Sequence, residues 1–141
     1  MRLAVVAALV LVLTAVLAMD PGMARADLSP PPVWQGDTLL GPAKSAAQLV
    51  KATFDYTAST KAISVKLGSK SVQMTLGSKS ARVNGKAITL TAAPKIVKNT
   101  TYVPLKTLFT GLGYEVHASG SDAWVVCTGQ MCIRVKVPPK P

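Results

Sequence analysis

Residues 94–116 read PKIVKNTTYVPLKTLFTGLGYEV, and the change of apolar period along this stretch decides the fold. Pro104 suits the first turn of a helix, where its missing N–H costs nothing and its fixed φ is already right. Behind it Leu105, Leu108, Phe109 and Leu112 fall at i, i+3, i+4 and i+7, one apolar helix face. Gly111 and Gly113 supply the stop, because glycine enters the left-handed conformation beyond a helix end without strain. Tyr114 and Val116 then alternate with Glu115 and His117, so a strand follows at once.

Upstream, the same plan recurs at an offset of 62. Pro42 falls on Pro104, Lys44 on Lys106, Ser45 on Thr107, Val50 on Leu112, Phe54 on Val116 and Ile63 on Val125. A first helix is therefore expected over about residues 41–51, with Phe54 and Tyr56 opening the next strand. Between the helices lie short alternating strands: Ile63, Val65 and Leu67, then Val72, Met74 and Leu76. Gly68-Ser69-Lys70 and Gly77-Ser78-Lys79 read as turns, and Asn84-Gly85 is the strongest hairpin signal in the chain. Two last strands, residues 123–128 and 131–137, place Met131, Ile133, Val135 and Val137 inward and Cys132, Arg134 and Lys136 outward.

Three short motifs stand in order: Val83-Asn84-Gly85-Lys86, Val103-Pro104-Leu105-Lys106 and Gly111-Leu112-Gly113. As a set they resemble the signature of the copper amine oxidase N-terminal-like, or stalk, domain of secreted bacterial proteins, over residues 39–137. The resemblance implies an α+β fold, a curled antiparallel β-sheet packed on short α-helices, here with two related helix–strand half-repeats. It does not imply copper, because the oxidase cofactor is made from a tyrosine in an Asn-Tyr-Asp/Glu context of another domain. None of Tyr56, Tyr102 or Tyr114 stands in that context. No cofactor and no metal are expected.

The front of the chain reads as an export signal. Met1-Arg2 precedes an apolar run from Leu3 to Met19, and Ala24-Arg25-Ala26 has the small-x-small pattern of a cleavage site. Residues 1–26 are read as the signal, cut between Ala26 and Asp27. Residues 27–38, with Ser29-Pro30-Pro31-Pro32 at their centre, read as an extended linker whose one large apolar group is Trp34. Residues 39–137 form the domain, and residues 138–141, Pro-Pro-Lys-Pro, read as a frayed tail.

The chain holds 16 basic and 6 acidic residues, a net charge of +10. Losing Arg2, Arg25 and Asp20 with the signal leaves 14 basic and 5 acidic residues, a net of +9. Such a balance points to anionic partners rather than to any fold. Alternation against Ile63, Val65, Val83 and Ile133 sends Lys66, Arg82, Arg134 and Lys136 to the opposite face, the candidate binding surface. Aromatic groups for stacking on bases are scarce there, which favours an anionic cell-envelope polymer over sequence-read nucleic acid. The alternative is an adaptor or inhibitor docked on another secreted protein, through a sheet edge or near Trp34. After cleavage no transmembrane anchor is expected, and the location is extracytoplasmic, in the periplasm or at the cell surface.

Cys127 and Cys132 are the only cysteines, and in an exported chain pairing is the default. With Gly129-Gln130 as a two-residue turn they face one another across a hairpin. A redox pair or a metal site is the alternative, but the spacing is not C-x-x-C and His117 alone does not complete a four-ligand set. Catalysis has little to work with: the expected mature chain holds His117, Glu115 and the aspartates 27, 37, 55 and 122. No enzymatic activity is expected.

Overall fold

Apolar residues at every second position draw most of the chain into strands. The computed structural model describes residues 24–129 and 131–141, which form thirteen strands and two helices. In chain order these are β1 (Ala24–Ala26), β2 (Val33–Gln35), β3 (Thr38–Pro42), α1 (Ala43–Leu49), β4 (Thr53–Thr57), β5 (Ala62–Leu67) and β6 (Lys70–Thr75). There follow β7 (Ser80–Val83), β8 (Lys86–Thr89), β9 (Lys95–Val97), β10 (Thr100–Pro104), α2 (Leu105–Gly111), β11 (Glu115–Ala118), β12 (Ala123–Thr128) and β13 (Met131–Lys136).

The architecture is mainly antiparallel β with two short helices. Instead of one curled sheet there are three, ordered β1-β13-β12-β11, β2-β3-β10-β9 and β4-β5-β6-β7-β8. Short strands and frequent turns break the pairing. Among the described residues only the pairing of β1 with β13 is parallel, with Ala24 opposite Ile133 and Ala26 opposite Val135. The five-stranded sheet is a meander in which Val65 faces Val72 and Met74 faces Ala81. At its Asn84-Gly85 turn both residues take positive φ, 53° and 82°, as a two-residue primed hairpin turn requires.

The two helices have the same entry and exit. Pro42 and Pro104 sit at the N-caps with ψ of 115° and 113°, so each is the last residue of a strand rather than the first of a helix. Their extended conformation lets β3 and β10 pair up to the helix start, with Gly41 opposite Val103. Consequently α1 begins at Ala43, two residues later than the sequence reading placed it. At the other end Lys51 and Gly113 take φ of 58° and 95°, and both N–H groups bond back three residues at 3.1 Å, to Gln48 and Thr110. Each bound of β3–α1 recurs 62 residues later in β10–α2: 38 and 100, 42 and 104, 43 and 105, 49 and 111.

Burial follows the same positions with different sizes. Helix α1 buries Ala43, Ala46 and Ala47, whereas α2 buries Leu105, Leu108 and Phe109. Those three α2 side chains join Ile63, Val65, Val72, Met74, Val103, Val126 and Val135 in one core drawn from all three sheets. Full burial stabilises by about 1.5–3 kcal/mol for each such large side chain, so α2 is the helix that anchors the fold. Leu40, Ala92 and Tyr102 form a second, small cluster.

Two boundaries differ from the sequence reading. The segment expected to be a linker belongs to the domain: Leu28 and Pro32 are buried, and Val33 pairs with Leu40 in β3. Ser29 N–H donates to Ser45 Oγ at 3.2 Å, and Tyr102 O–H donates to the Pro31 carbonyl at 3.4 Å. Prolines supply no N–H, but their carbonyls remain free to accept, and aromatic and hydroxyl groups of the domain satisfy this stretch. Residues 138–141 do not fray either, as their contacts with Trp34 below show. Met131, expected inward, is 65 % exposed, because its place beside the hairpin turn lies beyond the core. The expected signal, residues 1–26, lies outside the described residues apart from its last three.

Candidate functional site

The described surface offers two clefts and several outward-facing basic groups. The first cleft forms because β2 lays Trp34 beside β12, whose Trp124 stands edge-on to it, centroids 6.4 Å apart and planes at 81°. T-shaped aromatic pairs of this kind hold each ring in one orientation. Trp34 Nε1–H donates to the Pro138 carbonyl at 2.7 Å. Lys140 Nζ lies 5.9 Å from the Trp34 ring centroid and 2.5 Å from Asp37 Oδ1. Lys140 thereby holds the Asp37 carboxyl below the usual carboxylate range, first by its hydrogen bond and then by its charge.

Beside this tryptophan shelf is a cleft of about 470 Å³. Its walls include Trp34, Trp124, Thr38, Thr91, Lys106 and Thr107, brought together from β2, β3, α2 and β12 and the segment after β8. Thr38 and Thr91 share a hydrogen bond through their hydroxyls. The arrangement is amphipathic: flat apolar rings with threonine hydroxyls, the Lys106 ammonium and the Asp37 carboxylate at the edge, suited to binding rather than to acid–base chemistry. Trp34 stood out in the sequence as the one large apolar group of its segment. Trp124 did not, because nothing local marks a strand tryptophan as the partner of a residue 90 positions earlier.

The sequence-predicted basic residues fall into two pairs. Lys66 in β5 and Arg82 in β7 share the outward face of the five-stranded sheet, alternating with buried Val65 and Ala81. Arg134 and Lys136 lie in β13 on a different sheet, alternating with buried Val135. The expected single face of four charges is therefore divided, because the curled sheet is broken into three. Arg134 is half-buried and donates to Ser119 Oγ at 3.1 Å. With Lys136 it lines a second cleft of about 450 Å³, together with Arg25, Asp27 and Asp122. Asp27 and Arg25 flank Ala26, so the predicted cleavage residues lie beside this basic pair.

Cys127 and Cys132 are disulfide-bonded with Cα atoms 4.1 Å apart, directly opposite in the β12–β13 hairpin. Gly129 takes φ of +56°, the positive value that the primed turn needs. His117 and Glu115 are exposed and 3.5 Å apart. Among the described residues no three His, Cys, Asp or Glu side chains converge as a metal site, and no helix is long and apolar enough to cross a membrane.

The motif residues that carried the resemblance meet in space. Asn84 of the hairpin turn bonds to Gly111 at the end of α2, and the Val103-Pro104-Leu105 step opens that helix. The sequence profile described as the copper amine oxidase N-terminal domain matches residues 24–127. The chain belongs to that family. In copper amine oxidases this domain is a non-catalytic stalk. Among curated proteins none matches the chain.

Proposed function

We propose that the chain is an exported, non-catalytic binding module of the cell envelope that contacts an anionic polymer. The observation that carries this reading is the pair Arg134 and Lys136 on the outer face of β13, lining an open cleft in a chain of net charge +10. Lys66 and Arg82 add a second, separate basic patch. The strand-to-strand disulfide fits an oxidising compartment, as an extracytoplasmic location requires. Cleavage between Ala26 and Asp27 would remove β1 and Arg25, leaving Arg134 and Lys136 beside Asp27, its new amino terminus and Asp122 in that cleft.

Retention on an anionic polymer column tests the reading. An Arg134→Ser, Lys136→Ser variant and a Lys66→Ser, Arg82→Ser variant are compared with the parent across ionic strength. Earlier elution of the first variant is expected, since exposed charge–charge attraction is screened by salt. Equal elution of all three proteins would reject both basic patches. N-terminal sequencing of exported material tests cleavage separately, a start at Met1 being the adverse result.

The alternative, an adaptor docked on another secreted protein, draws on the tryptophan shelf with its ordered aromatic pair. A pull-down from envelope extract at low and high salt separates the two readings. Polymer binding fades steeply with salt, whereas a packed protein interface does so far less.

We further infer that β3–α1–β4 and β10–α2–β11 are copies of one half-repeat. The constant offset of 62, the twin proline caps and the matching helix exits support it. In the β3–β10 ladder Gly41 faces Val103, its own counterpart at that offset, so the two halves meet about a local two-fold. Aligning residues 38–75 with 100–137 should score above shuffled windows, and a score no better than theirs would count against duplication.

A further inference from the structure

Residues 138–141 are held by a small set of groups around Trp34 and Asp37. A proline-rich segment cannot join a sheet, since its nitrogens carry no proton, but its extended backbone presents unpaired carbonyls and flat ring faces. Flat aromatic surfaces bearing an N–H donor are the usual receptor for such segments. Trp34 supplies both here: its indole N–H meets the Pro138 carbonyl at 2.7 Å, and Trp124 holds the ring in place. Two residues on, Lys140 reaches over the same ring to Asp37. The domain uses the same chemistry once more, where Tyr102 O–H donates to Pro31.

We propose that Trp34 and Asp37 form a docking site for a proline-rich, lysine-bearing segment of a partner protein, which residues 138–141 occupy within the chain. Charge complementarity selects the occupant: Asp37 demands a cation two residues after the proline whose carbonyl Trp34 reads. The contact is exchangeable, because the Asp37 and Lys140 side chains are 90 % and 53 % exposed and such surface pairs hold weakly. The cleft of about 470 Å³ beside Trp34 is not lined by the tail, so a longer segment has room to continue past Thr38, Thr91 and Thr107. The proposal rests on the adaptor reading and names its partner class. Failure of the pull-down would remove that reading, whereas failure of the peptide test below would remove only this site.

The test is a titration of the full chain with the peptide acetyl-Val-Pro-Pro-Lys-Pro-amide, read from the Trp34 indole ¹H–¹⁵N resonance, with the Trp124 resonance as fold control. A Lys140→Glu variant sets the two carboxylates against each other and releases the tail. Its Trp34 resonance should move before any peptide is added and shift saturably on titration. The parent, whose tethered tail competes at an effective concentration on the order of millimolar, should need about tenfold or more peptide. A peptide with Glu in place of Lys should not bind the variant, and Trp34→Phe, which keeps a ring but loses the donor and is followed through the Asp37 backbone amide resonance, should weaken binding in either background. A Lys140→Ala chain, which loses the cation and keeps Asp37, serves as a second tail-release variant should Lys140→Glu disturb the Trp124 control.

An unmoved Trp34 resonance in both release variants, or no saturable shift with peptide, would overturn the proposal. So would equal binding of the Lys and Glu peptides, a shift given only by a soluble glycan, or concentration-dependent dimerisation of the parent that accounts for the Trp34 shift, which assigns the site to a second copy.

Discussion

Asn84 and Gly111 are joined by a hydrogen bond from the Asn84 Nδ2 group to the Gly111 carbonyl at 3.1 Å, tying the β7–β8 turn to the end of α2. The same side chain accepts from Ser71 N–H through Oδ1 at 2.8 Å, so it clamps a turn, a strand start and a helix end. Two of the three family motifs are thus parts of one contact. Asn84→Gly keeps the positive φ and removes both side-chain bonds, an expected loss of about 1–3 kcal/mol at roughly 0.5–1.5 per bond. Asn84→Ala adds the left-handed strain of a Cβ, about 1 kcal/mol more. Urea unfolding of the two variants measures both terms, and equal stability of Asn84→Gly and the parent would show the clamp to be idle.

Gly111 is also a point of close approach. A Cβ there would stand 2.5 Å from Val72 Cγ2 and 2.9 Å from Val83 Cγ1. Valine side chains are stiff about χ1 and cannot swing away. Gly111→Ala is therefore expected to destabilise: overpacking of about 1–3 kcal/mol opposes a helix-propensity gain of no more than about 1. A rise in melting temperature would show that α2 can shift off the five-stranded sheet.

Phe109 is fully buried at the centre of the core. Phe109→Ala should cost about 3–5 kcal/mol, measured by denaturant unfolding. A loss below about 1 kcal/mol would place α2 outside the core, since surface changes usually stay within about 0.5 kcal/mol.

The disulfide closes a short loop, Cys127 to Cys132, five residues apart in sequence. Chain-entropy arguments give about 2 kcal/mol for so short a loop. Reduction should leave the sheets intact by circular dichroism and lower the melting temperature. Free thiols in protein from an oxidising compartment would contradict the pairing.

Lys140 depresses the Asp37 value below its ordinary 3.8. A carboxyl lowered by folding contributes fully above its unfolded value, and that contribution fades as pH falls through the lower folded value. The docked tail should therefore be indifferent to pH from neutrality to about 4, the ordinary carboxylate range, and should detach below it. Lys106 lines the same cleft. Trp34 fluorescence against pH checks the expectation, and a transition well above pH 4 would mean that another group governs the tail.

Much of the fold was legible because its signals are local. The period of 3.6 in Leu105, Leu108 and Phe109, the period of 2 in Ile63 and Val65, and the Asn84-Gly85 turn each lie within a few residues, and each takes its expected form. The division of Lys66 and Arg82 from Arg134 and Lys136 was not legible, since alternation tells inward from outward but not which sheet a strand joins.

Period and turn chemistry by themselves determined the two helices, the meander and the hairpin that sets Cys127 opposite Cys132, because propensity, steric fit and loop closure act over short stretches of chain, and three short motifs carried the resemblance to the family. Tertiary structure alone decided that residues 27–38 are part of the domain and that residues 138–141 are docked. It alone set Trp34 against Trp124. Proline-rich segments carry no period, and what holds them is a carbonyl or ring meeting a donor far away in sequence. Such contacts exist only once the sheets have brought Trp34 and Pro138 together.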